Sequence, residues 1–121
     1  MEIFVNTSCK NAPKKERTID LVLAFLKKDE AVLKTLVTKD FTYHTVGDKT
    51  YYNLNNLSDF LNSYNIEKIT IDNALSHGNG AMAEGILTLK DTKNVRFCLV
   101  TQFKSTLNNA LIKSAHCYWN I

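Results

Sequence analysis

The sequence predicts an α+β domain in which helices come first and an antiparallel sheet follows. Two observations carry this prediction. Apolar residues recur at helical spacing in the first half of the chain, and from Glu67 onwards the apolar period changes to two, with turn residues between the runs. Helices followed by an antiparallel meander are typical of folds in which the helices cover one face of a curved sheet. We expect a single domain over residues 13–121, preceded by an N-terminal arm or edge strand over residues 1–12.

Composition narrows the classes of partner. The chain is 45% hydrophobic and 22% charged, which excludes a disordered protein. The net charge of +3 is small, and Arg17 and Arg96 are the only arginines among 15 cationic residues, so we expect no nucleic-acid partner. The longest apolar stretch, Ile19–Leu26, is too short to cross a bilayer, so no membrane partner is expected either.

The cysteines indicate the cellular compartment. Cys9, Cys98 and Cys117 are widely spaced and form no CxxC pair. An odd number of free thiols fits a reducing cytosol, and the N-terminal residues do not resemble a signal peptide, so a cytoplasmic protein is expected. No two histidines have metal-ligand spacing; we expect no metal and no cofactor.

Three helices are predicted. The first begins at Pro13, a residue suited to the first helical turn, and ends at Lys28-Asp29. Lys14 and Lys15 are expected to be solvated. The second helix covers Glu30–Val37 and the third covers Asn55–Tyr64. The second helix is expected to turn four side chains inward: Val32, Leu33, Leu36 and Val37.

The strands are predicted from alternation of apolar and polar residues. Phe41–Val46 and a short return at Tyr51-Tyr52 come first, and a strand after Glu67 places Ile69, Ile71 and Leu75 on one side. The later strands are Ala81–Leu89, Val95–Phe103 and Ala110–Ile121. Their apolar face, which must meet the helices, carries Leu87, Leu89, Val95, Phe97, Leu99, Thr101, Phe103, Leu111, Ala115, Cys117 and Trp119.

The opposite face of the last strands is mixed in character. Apolar side chains at its centre and charges at its rim are typical of a subunit interface. We therefore predict a homodimer through this face, with seven residues as the interface: Arg96, Cys98, Val100, Gln102, Ser114, His116 and Tyr118.

Three local motifs resemble a known family. They are KDFTYHTVG at residues 39–47, the chain end with Phe103, Ile112 and Cys117-Tyr118-Trp119, and the start Cys9-Lys10-Asn11-Ala12-Pro13-Lys14. Over about residues 13–121 the chain resembles the nuclear transport factor 2-like superfamily, which includes SnoaL-like polyketide cyclases and ketosteroid isomerases. It is most similar to small bacterial stand-alone members of unknown function.

The resemblance implies a cone-shaped antiparallel sheet wrapped around three helices, with a pocket between them and a dimer on the convex face. Ketosteroid isomerases use an Asp base with a Tyr and a protonated Asp as oxyanion donors. The corresponding positions hold Thr45, Leu21 and Leu99, so no ketosteroid isomerase chemistry is expected. A shift of one residue would place His44 near the base position. The tryptophan that lines the isomerase pocket is matched by Trp119.

The expected pocket lining contains aromatic and aliphatic residues with two hydroxyl groups: Leu21, Phe25, Tyr43, Thr45, Phe60, Phe97, Leu99, Thr101 and Trp119. Without a carboxylate, His or Lys on this face, the leading hypothesis is binding of an apolar or aromatic small molecule. One alternative is a SnoaL-like isomerase, cyclase or hydrolase with His44 or Tyr43 as acid/base, although alternation places His44 on the outer side. Another alternative is a protein-interaction module that uses the convex face.

Overall fold

The computed structural model describes residues 2–7, 12–46, 50–54, 56, 65–90 and 93–120. Its helices are α1 (Pro13–Lys27) and α2 (Glu30–Leu36). Its strands are β1 (Glu2–Val5), β2 (Val37–Thr45), β3 (Thr50–Asn53), β4 (Ile66–His77), β5 (Gly80–Leu89), β6 (Asn94–Phe103) and β7 (Ile112–Asn120). The third helix predicted at Asn55–Tyr64 lies outside the described residues, apart from Asn56, which is in a turn.

The described strands form one sheet in the order β1-β4-β5-β6-β7-β2-β3. The run from β4 to β7 is the predicted antiparallel meander, and β3 returns antiparallel to β2. The α+β class is therefore confirmed, but the prediction of a wholly antiparallel sheet was wrong. At one edge of the meander β1 pairs in parallel with β4, and at the other edge β2 pairs in parallel with β7. Side chains alternate between the two faces in parallel and antiparallel strands alike, so the sequence pattern could not distinguish parallel from antiparallel pairing.

The helix boundary at Lys28-Asp29 is confirmed. Lys28 caps α1 in the left-handed conformation, with φ 55° and ψ 38°, and its N–H donates to the carbonyls of Ala24 and Phe25. Asp29 then caps α2, because its carboxylate accepts a hydrogen bond of 3.1 Å from the Val32 N–H. The two helices are thus separated by Lys28 and Asp29 alone.

Helix α1 packs on one face of the sheet, against β4, β5 and β6. We call this the inner face and the opposite one the outer face. Along β6, Phe97, Leu99 and Phe103 are buried on the inner face, whereas Arg96 and Val100 are exposed on the outer face. The predicted orientation of this strand is confirmed.

A β-bulge changes the phase of β7. Gln102 pairs with Ser114, but the next residue, Phe103, pairs with Ile112, so one extra residue is inserted in β7. As a result Ile112 is fully buried and Leu111 is 39% exposed. The prediction that Leu111 faces the helices was wrong because an inserted residue turns the following side chains to the opposite face.

A second bulge, in β4, also changes which side chains face inward. Ile71 pairs with Gly85 and Asn73 with Glu84, which leaves Asp72 as the extra residue. Beyond it Ala74 is buried and Leu75 is 58% exposed, so the prediction that Leu75 shares a face with Ile71 was wrong.

The backbones of β4 and β5 approach closely at this bulge. A Cβ atom built on Gly85 would lie 1.8 Å from the carbonyl oxygen of Thr70 and 3.0 Å from the Cα of Ile71. Glycine is therefore needed at this position for want of space, and not for an unusual φ angle.

The start of β2 also differs from the prediction. Val37 is buried as the first residue of β2, paired with Ile112, and is not the end of a helix. Val32, predicted to face inward, is 42% exposed. A helix of seven residues presents only one narrow apolar stripe, and Leu33 occupies it.

Lys14 is buried and not solvated as predicted. It is 7% exposed, and its Nζ donates to the carbonyls of Thr106 (2.9 Å) and Leu107 (2.8 Å). The ammonium group also lies 5.6 Å from the ring centre of Phe103. Together with a hydrogen bond from Arg17 to the carbonyl of Asn108, these contacts fasten α1 to the loop between β6 and β7.

Candidate functional site

A narrow cavity of about 50 Å³ lies between α1 and the inner face of the sheet. Its lining is aliphatic and aromatic, with one lysine at the edge: Val22, Phe25, Leu26, Lys28, Tyr43, Ile66, Leu87, Phe97, Leu99, Cys117 and Trp119. We call this space the inner cavity.

The lining follows from the periods of the helix and the strands. Val22, Phe25 and Leu26 are spaced i, i+3 and i+4 and so share one side of α1. On the sheet, alternate residues of β6 and β7 point inward, and the register pairs Phe97 with Trp119 and Leu99 with Cys117. The cavity therefore lies where the second half of α1 crosses the paired strands.

Aromatic rings form part of the wall. The ring centres of Phe25 and Tyr43 are 4.9 Å apart with an interplanar angle of 65°, an edge-to-face contact between α1 and β2. Tyr52 on β3 extends the cluster, with its ring centre 6.1 Å from that of Tyr43. These contacts fix Phe25 and Tyr43 in place before any ligand binds.

The thiol of Cys117 is a strongly perturbed titratable group in the lining. Burial raises the pKa of this thiol from the ordinary 9.0 to about 11, although a hydrogen bond with Tyr43 acts in the opposite direction. A thiol with this pKa is protonated at neutral pH and is a poor nucleophile. Among the described residues that line the inner cavity there is no carboxylate and no histidine.

The inner cavity opens towards a wider and more polar space of about 270 Å³, which we call the mouth. It shares Leu26, Lys28 and Ile66 with the inner cavity. Asn65, Glu67 and Lys90 complete its lining, and the Lys90 N–H donates to the carbonyl of Asn65 at 3.0 Å. An apolar interior thus continues into an entrance with two lysines and one glutamate.

Five residues of the predicted pocket line the inner cavity: Phe25, Tyr43, Phe97, Leu99 and Trp119. Three others, Leu21, Thr45 and Thr101, are buried in the core but are not in this lining, and Phe60 lies outside the described residues. The hydroxyl of Thr101 bonds that of Thr18 at 2.8 Å and donates to the carbonyl of Ala81 at 3.2 Å, so it supports the core and does not orient a ligand.

Sequence reasoning missed Val22, Leu26, Lys28, Ile66, Leu87 and Cys117. Alternation identifies the inner face of a strand, but not which part of that face lies beside the cavity. Likewise, Leu21 and Val22 are both buried on α1, and only their difference of about 100° around the helix decides which one reaches the cavity. The signal that could have helped is the i, i+3, i+4 spacing of Val22 with Phe25 and Leu26.

His44 faces away from the inner cavity. It pairs with His116 across β2 and β7, and the two imidazole rings meet edge to face with centres 5.5 Å apart. Its neighbours Tyr43 and Thr45 are the buried ones. The interpretation that placed His44 on the outer side is confirmed, and the histidine does not supply a base to the cavity.

The outer face carries all the residues that the sequence suggests for an interface. The register places Cys98 opposite Tyr118, Val100 opposite His116 and Gln102 opposite Ser114, and Arg96 lies at the same face of β6. Tyr118 is 50% exposed. Partial burial and the nearby Glu84 carboxylate raise the pKa of the Cys98 thiol.

Two other classes of site have no support from the described residues. Within these ranges no three His, Cys, Asp or Glu side chains come together in a way that could hold a metal ion. Neither described helix has the length and apolar character that a membrane-spanning helix requires.

The order of helices and strands is similar to that of the nuclear transport factor 2-like fold, and solved structures of this fold match the chain. A protein from Shewanella denitrificans, provisionally described as a SnoaL-like polyketide cyclase, matches with a TM-score of 0.73 and 11% identity over 90% of this chain and 91% of that one. A protein of ketosteroid isomerase-like fold from Catenulispora acidiphila, solved in complex with trimethylamine, matches with a TM-score of 0.68 and 18% identity over 88% and 86%.

A nuclear transport factor 2-like protein of unknown function from Cytophaga hutchinsonii has a TM-score of 0.66 and 11% identity, covering 87% of this chain and 88% of that one. No family model matches the sequence, and no curated protein matches it significantly. At these identities the likeness establishes the fold alone.

Proposed function

We propose that the protein binds a small apolar or aromatic molecule in the inner cavity. The observation that supports this most directly is the lining itself, which joins aliphatic and aromatic side chains from α1 and five strands around a space that adjoins the mouth. Small-molecule sites are concave and mostly apolar, with a few polar groups that orient the ligand. Tyr43, Cys117 and Trp119 are candidates for those polar groups.

The dimensions limit the ligand. Typical sites for drug-sized ligands measure about 300–1,000 Å³. The inner cavity, at about 50 Å³, is smaller than the roughly 150 Å³ cavity that takes up benzene, so it holds a short chain or the edge of a ring, and the mouth, at about 270 Å³, holds the remainder. A molecule the size of a steroid does not fit the inner cavity.

Burial alone gives modest affinity. A single aromatic ring buries about 150 Å², which at about 25 cal/mol per Å² yields roughly 4 kcal/mol. That free energy corresponds to a Kd of about 1 mM, before the entropic cost of binding is subtracted. Tighter binding therefore requires a polar contact in addition to the apolar one.

Binding is favoured over turnover because of what lines the cavity. Proton abstraction needs a base within hydrogen-bond reach, and the described lining supplies no carboxylate or histidine for it. The Cys117 thiol, with a pKa of about 11, is protonated, and Tyr43 is engaged with it. Among the described lining residues, no carboxylate or histidine accompanies Tyr43 as a second acid or base.

The proposal is tested with 3-phenylpropanol, a neutral ring on a short chain, by NMR titration of the full chain. We expect shifts centred on the cavity lining and loss of binding in Leu99→Phe, which places a ring in the cavity. The matched control is Val100→Phe, which adds a ring on the outer face of the same strand. If Leu99→Phe does not fold, it is replaced in the test by Val22→Ile, which fills less of the cavity. Equal binding by both variants would contradict the proposal.

We also propose that the outer face joins two copies of the chain. Val100, Tyr118 and Leu75 are exposed apolar side chains on strands whose other face is buried, and Arg96 and His116 lie among them. A mixed face of this kind suits an interface. A solution mass twice that of the chain supports the proposal, provided that Tyr118→Lys shifts it to the monomer; a monomeric wild type would contradict it.

A further inference from the structure

We infer that the ligand is an anion, a small carboxylate whose ring or short chain enters the inner cavity while its charged group lies at the mouth beside Lys28 and Lys90. This inference rests on the proposed binding function and adds the chemical class of the ligand. It is carried by the position of Lys28, which lines the inner cavity and the mouth alike.

The charged residues that line the inner cavity and the mouth favour an anionic ligand. In the described lining of the inner cavity, Lys28 is the one charged residue, and no acidic side chain accompanies it. The mouth adds Lys90 and Glu67, so its described lining residues carry two positive charges and one negative charge. The Asn65 side chain in the same lining can donate a further hydrogen bond. A cationic ligand would have to pass Lys28 and would meet no carboxylate inside.

The backbone at Lys28 is a second, independent observation. Among the described residues other than glycine, Lys28 alone has a positive φ. Such a position at the end of a helix is usually occupied by Gly or Asn, because other side chains crowd the backbone there. Residues held in this way cluster at ligand sites. The charge that favours a helix C-terminus is already supplied by the adjacent Lys27.

The apolar part and the charged part act together. Since burial of a ring alone supports only millimolar binding, the headgroup contributes the remaining affinity. The Lys28 and Lys90 side chains are exposed, so their charge contact with a carboxylate is worth up to about fivefold in affinity. We therefore expect discrimination by headgroup among molecules that have the same ring and chain.

The experiment compares 3-phenylpropionate, 3-phenylpropanol and 3-phenylpropylamine by NMR titration at pH 7. We expect the carboxylate to bind up to about fivefold more tightly than the alcohol, and the amine to bind most weakly. Since exposed charges are screened, 0.5 M NaCl should reduce the difference between carboxylate and alcohol. Tighter binding of the amine, through cation–π contacts with Tyr43 or Trp119, would overturn the inference.

Substitutions test whether Lys28 contacts the carboxylate group of the ligand. Lys28→Gln is expected to reduce the ratio of carboxylate affinity to alcohol affinity to less than about twofold, and Lys28→Arg to restore it. Lys27→Gln is the matched control, because Lys27 is the next residue and lines neither space. Lys28→Gly, which suits the left-handed backbone, replaces Lys28→Gln if that variant is unstable. Glu67→Gln should strengthen binding of the carboxylate.

The outcomes separate the two proposals. If the alcohol binds and the carboxylate binds no more tightly, the anion inference fails while small-molecule binding stands. The same conclusion follows if Lys28→Gln and Lys27→Gln have equal effects. If none of the three compounds shifts the cavity resonances, binding in the inner cavity itself fails, and the inference fails with it.

Discussion

Replacement of Gly85 by alanine should destabilise the protein strongly. The added Cβ would lie 1.8 Å from the carbonyl oxygen of Thr70 and 2.8 Å from its carbonyl carbon. Both atoms belong to the backbone of β4, so a rotamer change cannot relieve the clash. Either β4 and β5 separate locally, or the bulge after Ile71 rearranges.

The magnitude follows from measured effects of overpacking, which cost about 1–3 kcal/mol. Because the obstacle is main chain, we expect the upper end, about 3 kcal/mol, less the gain of about 0.4–1 kcal/mol that alanine brings by restricting the unfolded chain. The net loss is about 2 kcal/mol, or a fall in Tm of roughly 8 °C for a domain of this size.

Thermal and urea denaturation of both glycine variants of β5 provide the assay. Gly80→Ala is the matched control, since its Cβ would meet the carbonyl oxygens of His77 and Thr101 at 3.7 Å, an ordinary contact distance. We expect the control to retain the wild-type Tm or to gain slightly. If Gly85→Ala unfolds within about 1 °C of Gly80→Ala, the close approach of β4 and β5 is refuted.

Three further predictions concern other contacts. Lys14→Met should cost about 2–3 kcal/mol in urea unfolding, because two carbonyls of the loop after β6 lose their donor; a wild-type midpoint would contradict this. Asp29→Ala should cost about 1 kcal/mol by loss of the α2 cap, whereas Asp29→Asn should retain most of the stability. Cys117 should resist alkylation at neutral pH. The pKa of the Cys117 thiol is 9.0 in the unfolded chain and about 11 in the folded protein. Burial of the neutral thiol therefore stabilises the folded protein below pH 9.0, and this stabilisation is lost as the pH rises towards 11. Peptide mass spectrometry measures the alkylation, and rapid labelling of folded Cys117 at pH 7 would disprove the assignment.

Local patterns predicted the elements well where the chain obeys one period without interruption. The strand β6 has no inserted residue, and the orientation of Arg96 and Phe97 followed directly from alternation. The turn at Lys28-Asp29 was also predicted, because the helical pattern breaks there.

Positions that depend on contacts between distant segments could not be predicted in this way. The bulges in β4 and β7 move Leu75 and Leu111 to the outer face, and nothing in either strand alone indicates an inserted residue. Lys14 has the sequence context of a surface residue, and only the folded structure shows the loop carbonyls to which its ammonium group donates. The same holds for Lys28 and Ile66, which reach the cavity only because β4 passes beside the end of α1.

The attachment of α1 is uneven along its length. Its first turns are held by Lys14 and Arg17 to the loop that joins β6 and β7, whereas its last turns, from Val22 to Lys28, border the cavity. The end of α1 beside the cavity instead continues through Lys28 and Asp29 into α2, whose first turn is capped by the Asp29 carboxylate. Substitutions at Lys14 or Arg17 therefore weaken the attachment of α1 at the end that is farther from the cavity and leave the lining residues themselves unchanged.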